Sequence, residues 1–449
     1  MNQKQNSNGR LIAIIAMFFL FAMISFVTNL AAPIGTIWGY KFEGNAVLGM
    51  MGNMMNFAAY LFMGIPAGNL LVKIGYKKTA LWAMGVGVVG LFVQWLSSTI
   101  GADSMIGSVP TSFIVYLLGA FICGFCVCML NTVVNPMLNL LGGGGNKGNQ
   151  LIQTGGSLNS LSGTLTPMFV GLLIGQLTPD TSMSNVAPLL WIAMGVFVAA
   201  FIIIWFVAIP EPNLQKSGKK AAYTHSPWNF RHTVLGVFGI FFYVGIEIGI
   251  PGTLNFYLAD QTANGAGVIG DASAIAGSIV AIYWLFMLVG RFLSSFISGA
   301  VSSRTQMIVV SSVAILLIVL AIFMPKTTTI AVPAFVYQAT DGTQAAVPVS
   351  ALLLVLCGLC TSVMWGGIFN LAVEGLGKYT AQASGIFMMM VVGGGIMPLL
   401  QQFISNAAGY IASYWLVVAM LAYLLYYGLI GSKNVNTDIP VDDEVQNAL

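Results

Sequence analysis

Long apolar runs alternate with short polar or charged breaks along nearly the whole chain. The runs cover approximately residues 11–33, 46–72, 79–97, 112–141, 150–176, 188–209, 231–258, 272–300, 306–324, 348–371, 381–404 and 409–431. Each comes close to or exceeds the roughly 20 residues that a helix needs to cross a hydrocarbon core. Such runs must be helical in lipid, because every backbone N–H and C=O has to be bonded within the segment. The alternating strands of a membrane barrel are absent. The pattern therefore predicts an all-α membrane protein with 12 transmembrane helices.

Composition agrees. The 449 residues are 57% hydrophobic and only 6% charged, against roughly 25% charged in a soluble domain. The surplus apolar surface is expected to face the lipid bilayer, and little chain is left for a soluble domain. No basic stripe of the kind that binds nucleic acid is present. Lys4 and Arg10 followed by Leu11–Pro33 resemble a signal peptide, but the run is too long for one and no small-residue cleavage site follows. It reads as a first span. All five cysteines (Cys123, Cys126, Cys128, Cys357 and Cys360) lie in apolar runs and read as small packing residues rather than redox or metal groups.

The basic residues orient the spans. With the N-terminus cytoplasmic, the external loops hold only Lys41 and Lys326 of the 16 Lys and Arg residues; Arg291 lies within a span and the rest fall on the cytoplasmic side. This satisfies the positive-inside rule and places both termini in the cytoplasm. The chain also repeats. An offset of 231 maps Gly68 onto Gly299, Lys73 onto Arg304, Lys147 onto Lys378, Gly163 onto Gly394 and Pro167 onto Pro398. The reading is two six-helix bundles, residues 1–209 and 231–431, with a cytoplasmic linker at 210–230 and a cytoplasmic tail at 432–449 that ends in Asp442, Asp443 and Glu444. His225 and His232, in or beside the linker, are expected at the surface.

Polar groups inside the spans carry the candidate chemistry. Asn131, Asn135 and Asn139 recur every four residues and share one helix face. Amides donate and accept hydrogen bonds, which suits a polyhydroxylated ligand. Apart from Arg231 at the very edge of its run, the only Asp, Glu, Lys or Arg residues inside the long apolar runs are Glu247 and Arg291. A charge at that depth is costly and marks a partner or a pathway. Glu247 is placed to carry a proton, coordinate sodium or accept hydroxyl bonds. Arg291 stays protonated and demands acceptors. A structural or gating role is expected for it, bonding helix ends or the Glu374 region, with a direct pair to Glu247 also open. Trp284 and Trp365 offer apolar platforms within spans.

The segment GNLLVKIGYKK, Gly68 to Lys78, resembles the signature loop of the major facilitator superfamily, with Gly68, Lys73, Gly75 and Lys77 in place and Val72 where that family has an aspartate. Together with Arg291 and Arg304 these residues are the gating candidates. LNTVVNP, LNSLSGTLTP, YVGIEIG, YWLFMLVGR, IFNLAVEGLGKYTAQASG and VVGGGIMPLL resemble the fucose/glucose–galactose permease branch of that superfamily over nearly the whole chain. The resemblance implies sugar uptake across a bacterial inner membrane, coupled to H+ or Na+, with no other cofactor, by a protein that acts as a monomer. It also implies amides at Asn131 and near Asn29 where fucose permeases carry acids, which moves the coupling role to Glu247. The substrate-binding candidates are Asn29, Asn131, Asn135, Gln153, Asn159, Glu247, Trp284, Trp365, Asn370 and Gln401, with Asn56 and Asn139 weaker. Gly156 stands where the family usually has glutamine.

The function expected is secondary active monosaccharide transport by alternating access. The alternatives are an exporter of amphipathic compounds, an uncoupled sugar facilitator, and a membrane enzyme or sensor. The last is disfavoured because no metal-ligand cluster, nucleophile elbow or phosphate loop is visible.

Overall fold

The computed structural model describes residues 2–42, 46–100, 104–107, 109–174, 180–209, 211, 225–260, 262–269, 272–334 and 343–441. Most of the expected linker and the end of the acidic tail lie outside them. The helices, in chain order, are α1 (Asn2–Lys41), α2 (Ala46–Leu96), α3 (Thr111–Leu141), α4 (Gly145–Ile174), α5 (Met183–Phe206), α6 (Arg231–Ala259), α7 (Ala272–Ile297), α8 (Ser303–Phe323), α9 (Val349–Ala372), α10 (Thr380–Met389), α11 (Gly393–Ala408) and α12 (Tyr410–Tyr426). Two short antiparallel hairpins, β1–β2 (Met105–Ile106 with Val109–Pro110) and β3–β4 (Thr329–Ala334 with Thr343–Pro348), connect α2 to α3 and α8 to α9.

Among the described residues, ten helical stretches are long and apolar enough to cross a membrane. They do not match the twelve expected runs one to one. The two runs expected at 46–72 and 79–97 form the single element α2, interrupted at Gly75 (φ 86°, ψ 174°). A straight helix of that length would reach about 75 Å, far beyond a bilayer. The chain instead reverses at Gly75. Cβ atoms added at Gly52 and Gly124 would meet Tyr116 and Asn56, so the first part of α2 runs parallel to α3; those at Gly90 and Gly119 would meet Cys123 and Gln94, so the second part runs antiparallel. Only glycine adopts the positive φ of that reversal without strain. The helix is otherwise unbroken through Gly68 and Lys73, so the signature segment is helical up to a one-residue turn rather than an extended loop.

The run expected at 381–404 is likewise divided, into α10 and α11, by a 3-10 turn at Met390–Val392. A Cβ on Gly393 would collide with the Phe241 carbonyl oxygen, so the backbone of α11 rests directly on α6. Small residues allow this closeness, the usual basis of helix association in lipid. The cysteines follow the same logic: all five are buried and unbridged, and Cys123 and Cys126 fill the space left by Gly90 and Gly87. Large apolar side chains such as Trp82, Phe206, Phe296 and Phe323 point outward, which is favourable only in a lipid solvent.

α4 differs from the other long helices. Residues 145–166, GNKGNQLIQTGGSLNSLSGTLT, are dense in amides, hydroxyls and glycines. The helix is covered by α1 on one side and packs against α7 and α9 on the other. A helix this polar is stable in a membrane only where protein or water meets its amides and hydroxyls.

Replacing Gly393 by Val should lower the thermal unfolding temperature of the detergent-solubilised protein, overpacking α6 against α11 by about 1–3 kcal/mol. Gly85→Ala, where an added Cβ meets nothing within 4 Å, should leave it unchanged; equal shifts in the two variants would contradict this packing.

Candidate functional site

Tyr243 and Glu247 lie one turn apart on α6 and so share a face. On α7, Gly290 lets the helix seat against α9, where an added Cβ would collide with Ser362 Oγ. That seating carries the next residue, Arg291, into the interior. Its Nη2 donates to Glu247 Oε1 at 3.0 Å and lies 3.4 Å from Tyr243 Oη. Its Nη1 donates to Ser160 Oγ on α4 at 2.7 Å, with a longer contact to the Gly156 carbonyl, and Nε reaches the Ser362 carbonyl. One guanidinium thus joins α4, α6, α7 and α9. The pair is largely but not wholly enclosed, with 10% of the Arg291 side chain and 13% of the Glu247 side chain accessible. Tyr283 Oη, 3.0 Å from Thr361 Oγ1, also approaches the Glu247 carbonyl.

A second polar chain runs along α3. Asn131 Nδ2 donates to Tyr60 Oη on α2 at 3.0 Å, and Asn135 Nδ2 donates to the Asn131 carbonyl at 2.9 Å. Asn135 Oδ1 accepts from Trp365 Nε1 on α9 at 3.0 Å. The Trp365 ring then meets Tyr243 edge-on with centroids 6.2 Å apart. The amide row and the ion pair are therefore one connected arrangement, closed through Trp365 and Tyr243. Gln153 adjoins it, donating from Nε2 to the Val363 carbonyl at 2.8 Å.

Toward the end of the molecule that carries Lys73, Lys77 and Arg304, the early and late helices close on each other. Asn139 Nδ2 donates to Asn370 Oδ1 at 2.7 Å, and Asn370 Nδ2 donates to Ser303 Oγ at 2.9 Å. Ser384 Oγ donates to the Thr132 carbonyl. A Cβ on Gly68 would stand 3.0 Å from the Gly385 Cα, so α2 and α10 touch through backbone. Gly68 is thus part of this closure. Lys73 is exposed, Lys77 Nζ donates to the Trp205 carbonyl, and Arg304 is half-buried in the first turn of α8. Arg10 caps the C-terminus of α3 through the Leu141 carbonyl.

The remaining sequence candidates lie apart from this arrangement. Asn29 bonds within its own helix to Ser25, facing Gly163. Asn159 ties α4 to α1 through the Phe21 carbonyl. Trp284 stacks edge-on against Tyr283. Gln401 donates to Ser413 in the seam between α11 and α12. Asn56 is buried beside Gly124. Arg291 bonds neither helix ends nor the Glu374 region; the Glu374 carbonyl instead accepts from His232 Nε2 at 2.9 Å. His232 is buried rather than at the surface, because the first turn of α6 packs under this carbonyl.

Four contributors escaped sequence reading. Tyr243 was findable from its spacing to Glu247, and Ser160 from its turn above Gly156. Tyr60 gave no signal. Glu211, just beyond α5, accepts from the backbone N–H groups of Tyr76 and Lys77 at 2.7 and 2.8 Å. It caps the turn at Gly75, a carboxylate from another segment serving where Val72 offers none. Burial pushes its carboxyl up from the usual value, against the pull of those two N–H groups, Lys78 and Lys77. The groove of about 450 Å³ lined by Phe18, Phe19, Phe26, Leu158 and Leu161 is apolar and separate from the polar arrangement.

Many membrane-crossing helices around a buried ion pair and an amide row define a multi-pass membrane protein with a polar interior. Residues 12–396 match the family described as Major Facilitator Superfamily, and the chain belongs to that family of transporters. It is 31% identical to the glucose/galactose transporter of Brucella abortus (strain 9-941) over 444 residues, 96% of each protein. It is 21% identical to the L-fucose-proton symporter of Escherichia coli K12, covering 92% of this chain and 90% of that one. The crystal structure of the E. coli fucose:proton symporter superposes with a TM-score of 0.73 at 18% identity, over 94% of this chain and 100% of that one.

Arg291→Ala strands Glu247 in a low-dielectric seam and should cost about 3–5 kcal/mol of stability. The double variant Arg291→Ala/Glu247→Ala should recover most of that loss in thermal unfolding. Additive losses in this cycle would show that the two side chains do not act as a pair.

Proposed function

We propose that this protein is a secondary active transporter of neutral monosaccharides, of the glucose and galactose class named for its relatives, driven by a proton. The observation that carries the reading is the single polar path from Tyr60 and Asn131 through Asn135, Trp365 and Tyr243 to the Glu247–Arg291 pair. It joins helices of the first repeat to those of the second. It also combines amides and an indole suited to a sugar with the one carboxylate inside the apolar runs.

In this reading the chain crosses a bacterial inner membrane twelve times with both termini cytoplasmic. The reversal at Gly75 supports counting α2 as two spans, and the interior position of α4 supports adding it as a polar one. Residues 1–209 and 231–431 form two six-helix bundles, with 210–230 as the linker and 432–449 as a cytoplasmic tail. The Asn139–Asn370 and Gly68–Gly385 contacts close the cytoplasmic side, which leaves the outside as the side from which a sugar enters. A sugar entering from there meets Asn131, Gln153 and Trp365. A proton on Glu247 releases Arg291 from its anion. The seam at Ser160 and Asn370 then parts and the bundles rock about the site. The amides at Asn29 and Asn131 do not exchange protons near neutral pH, which leaves the coupling role to Glu247.

Counterflow of labelled glucose or galactose in proteoliposomes is expected for the wild-type chain. Exchange of lipophilic dyes without sugar exchange would favour the exporter instead. Glu247→Gln should abolish accumulation driven by an imposed pH gradient while sugar still equilibrates. Full retention of gradient-driven uptake would remove Glu247 from coupling, and a wild-type protein indifferent to pH and sodium gradients would be a facilitator.

A further inference from the structure

The charges that face the candidate site balance. Glu247–Arg291 is the only ion pair among the described residues. The other groups around it, Tyr243, Ser160, Ser362, Trp365 and the Asn131–Asn135 row, are uncharged. We propose that the pair is a charge filter that restricts the site to uncharged sugars, a reading that rests on the transport function above.

The geometry leaves the guanidinium available to a ligand without leaving it unpaired. Nη2 serves Glu247, while Nη1 is held only by the neutral hydroxyl of Ser160 and, at longer range, the Gly156 carbonyl. A sugar hydroxyl can replace one neutral acceptor by another at little cost. Gly156 puts no side chain between α4 and the guanidinium: an added Cβ would already touch Arg291 Cδ at 3.4 Å, and a longer side chain would crowd the group. A sugar carboxylate is different. It would bring a second anion to a cation already paired with Glu247, in a seam where only 10% and 13% of the two side chains are accessible and water screens the repulsion weakly. A sugar ammonium would meet the mirror-image penalty from Arg291. Either mismatch forfeits a charge-assisted hydrogen bond, which corresponds to at least about tenfold in affinity.

The filter predicts reciprocal changes of specificity. In proteoliposomes of the wild-type protein, unlabelled glucuronate and glucosamine (the latter below its amine pKa) should each compete with labelled glucose at least about tenfold less well than glucose does. Glu247→Gln leaves Arg291 seeking an anion and should shift the glucuronate-to-glucose ratio at least about tenfold toward glucuronate. Glu247→Asp, which keeps the charge, should not. Arg291→Gln should shift the ratio toward glucosamine, and it decides the matter if Glu247→Gln does not give folded, monodisperse protein. Absence of any hexose exchange by the wild type would sink the transport reading and this inference with it. Hexose exchange with equal competition by glucuronate, or folded charge variants that keep the wild-type preference, would overturn the filter alone.

Discussion

The arrangement depends on one guanidinium that cannot lose its charge. Arg291 is fixed inside an apolar segment, so every acceptor within its reach is recruited by necessity. Glu247 offsets the charge, Ser160 and Gly156 draw in α4, and Ser362 anchors α9. Without those partners α7 could not remain at that depth. The face that α6 presents, the Ser160 hydroxyl of α4 and the close seating at Gly290 together meet this requirement. An ion pair of this kind adds little net stability against a well-packed apolar substitute. Under the function proposed above, its role is in the chemistry of the site rather than in stability.

Glycine and cysteine set the other limit. Between helices in lipid there is no hydrophobic drive, so attraction comes from backbone proximity and short polar bonds. Gly64, Gly68 and Gly385 bring α2 and α10 together with no side chain between them. Contacts of this type are made and broken without desolvating a large apolar surface. That suits a seam that opens and closes, as the proposed transport cycle requires.

What sequence reasoning recovered and what it missed divide along physical lines. Apolar runs located the helices because lipid admits almost no alternative, and the four-residue spacing of Asn131, Asn135 and Asn139 placed them on one face. The pairing of Glu247 with Arg291 was only one option, because it depends on how far two neighbouring helices are shifted along their axes. The cap that Glu211 makes on Tyr76 and Lys77 joins residues 134 or more positions apart and has no local trace. The segment around Gly75 was read as a loop through its resemblance to the superfamily's signature loop, whereas the positive φ of one glycine is enough to reverse the chain. Gln401 and Asn29 were candidates through the resemblance to the permease branch; the structure places their side chains in bonds to Ser413 and Ser25, a use of amides that sequence similarity does not distinguish from ligand binding.

The Asn139–Asn370 contact has a consequence of its own. The two residues are 231 positions apart, the same interval that relates Gly68 to Gly299 and Lys73 to Arg304. A parallel repeat is related by an axis along the membrane normal, so a side chain lying on that axis meets its own duplicate. An aspartate there would face an aspartate, and a lysine a lysine. A carboxamide is self-complementary, since one copy can donate while the other accepts. Symmetry itself therefore restricts the chemistry at the crossing point to groups that can shake hands with themselves, and asparagine is among the few that do so in oil.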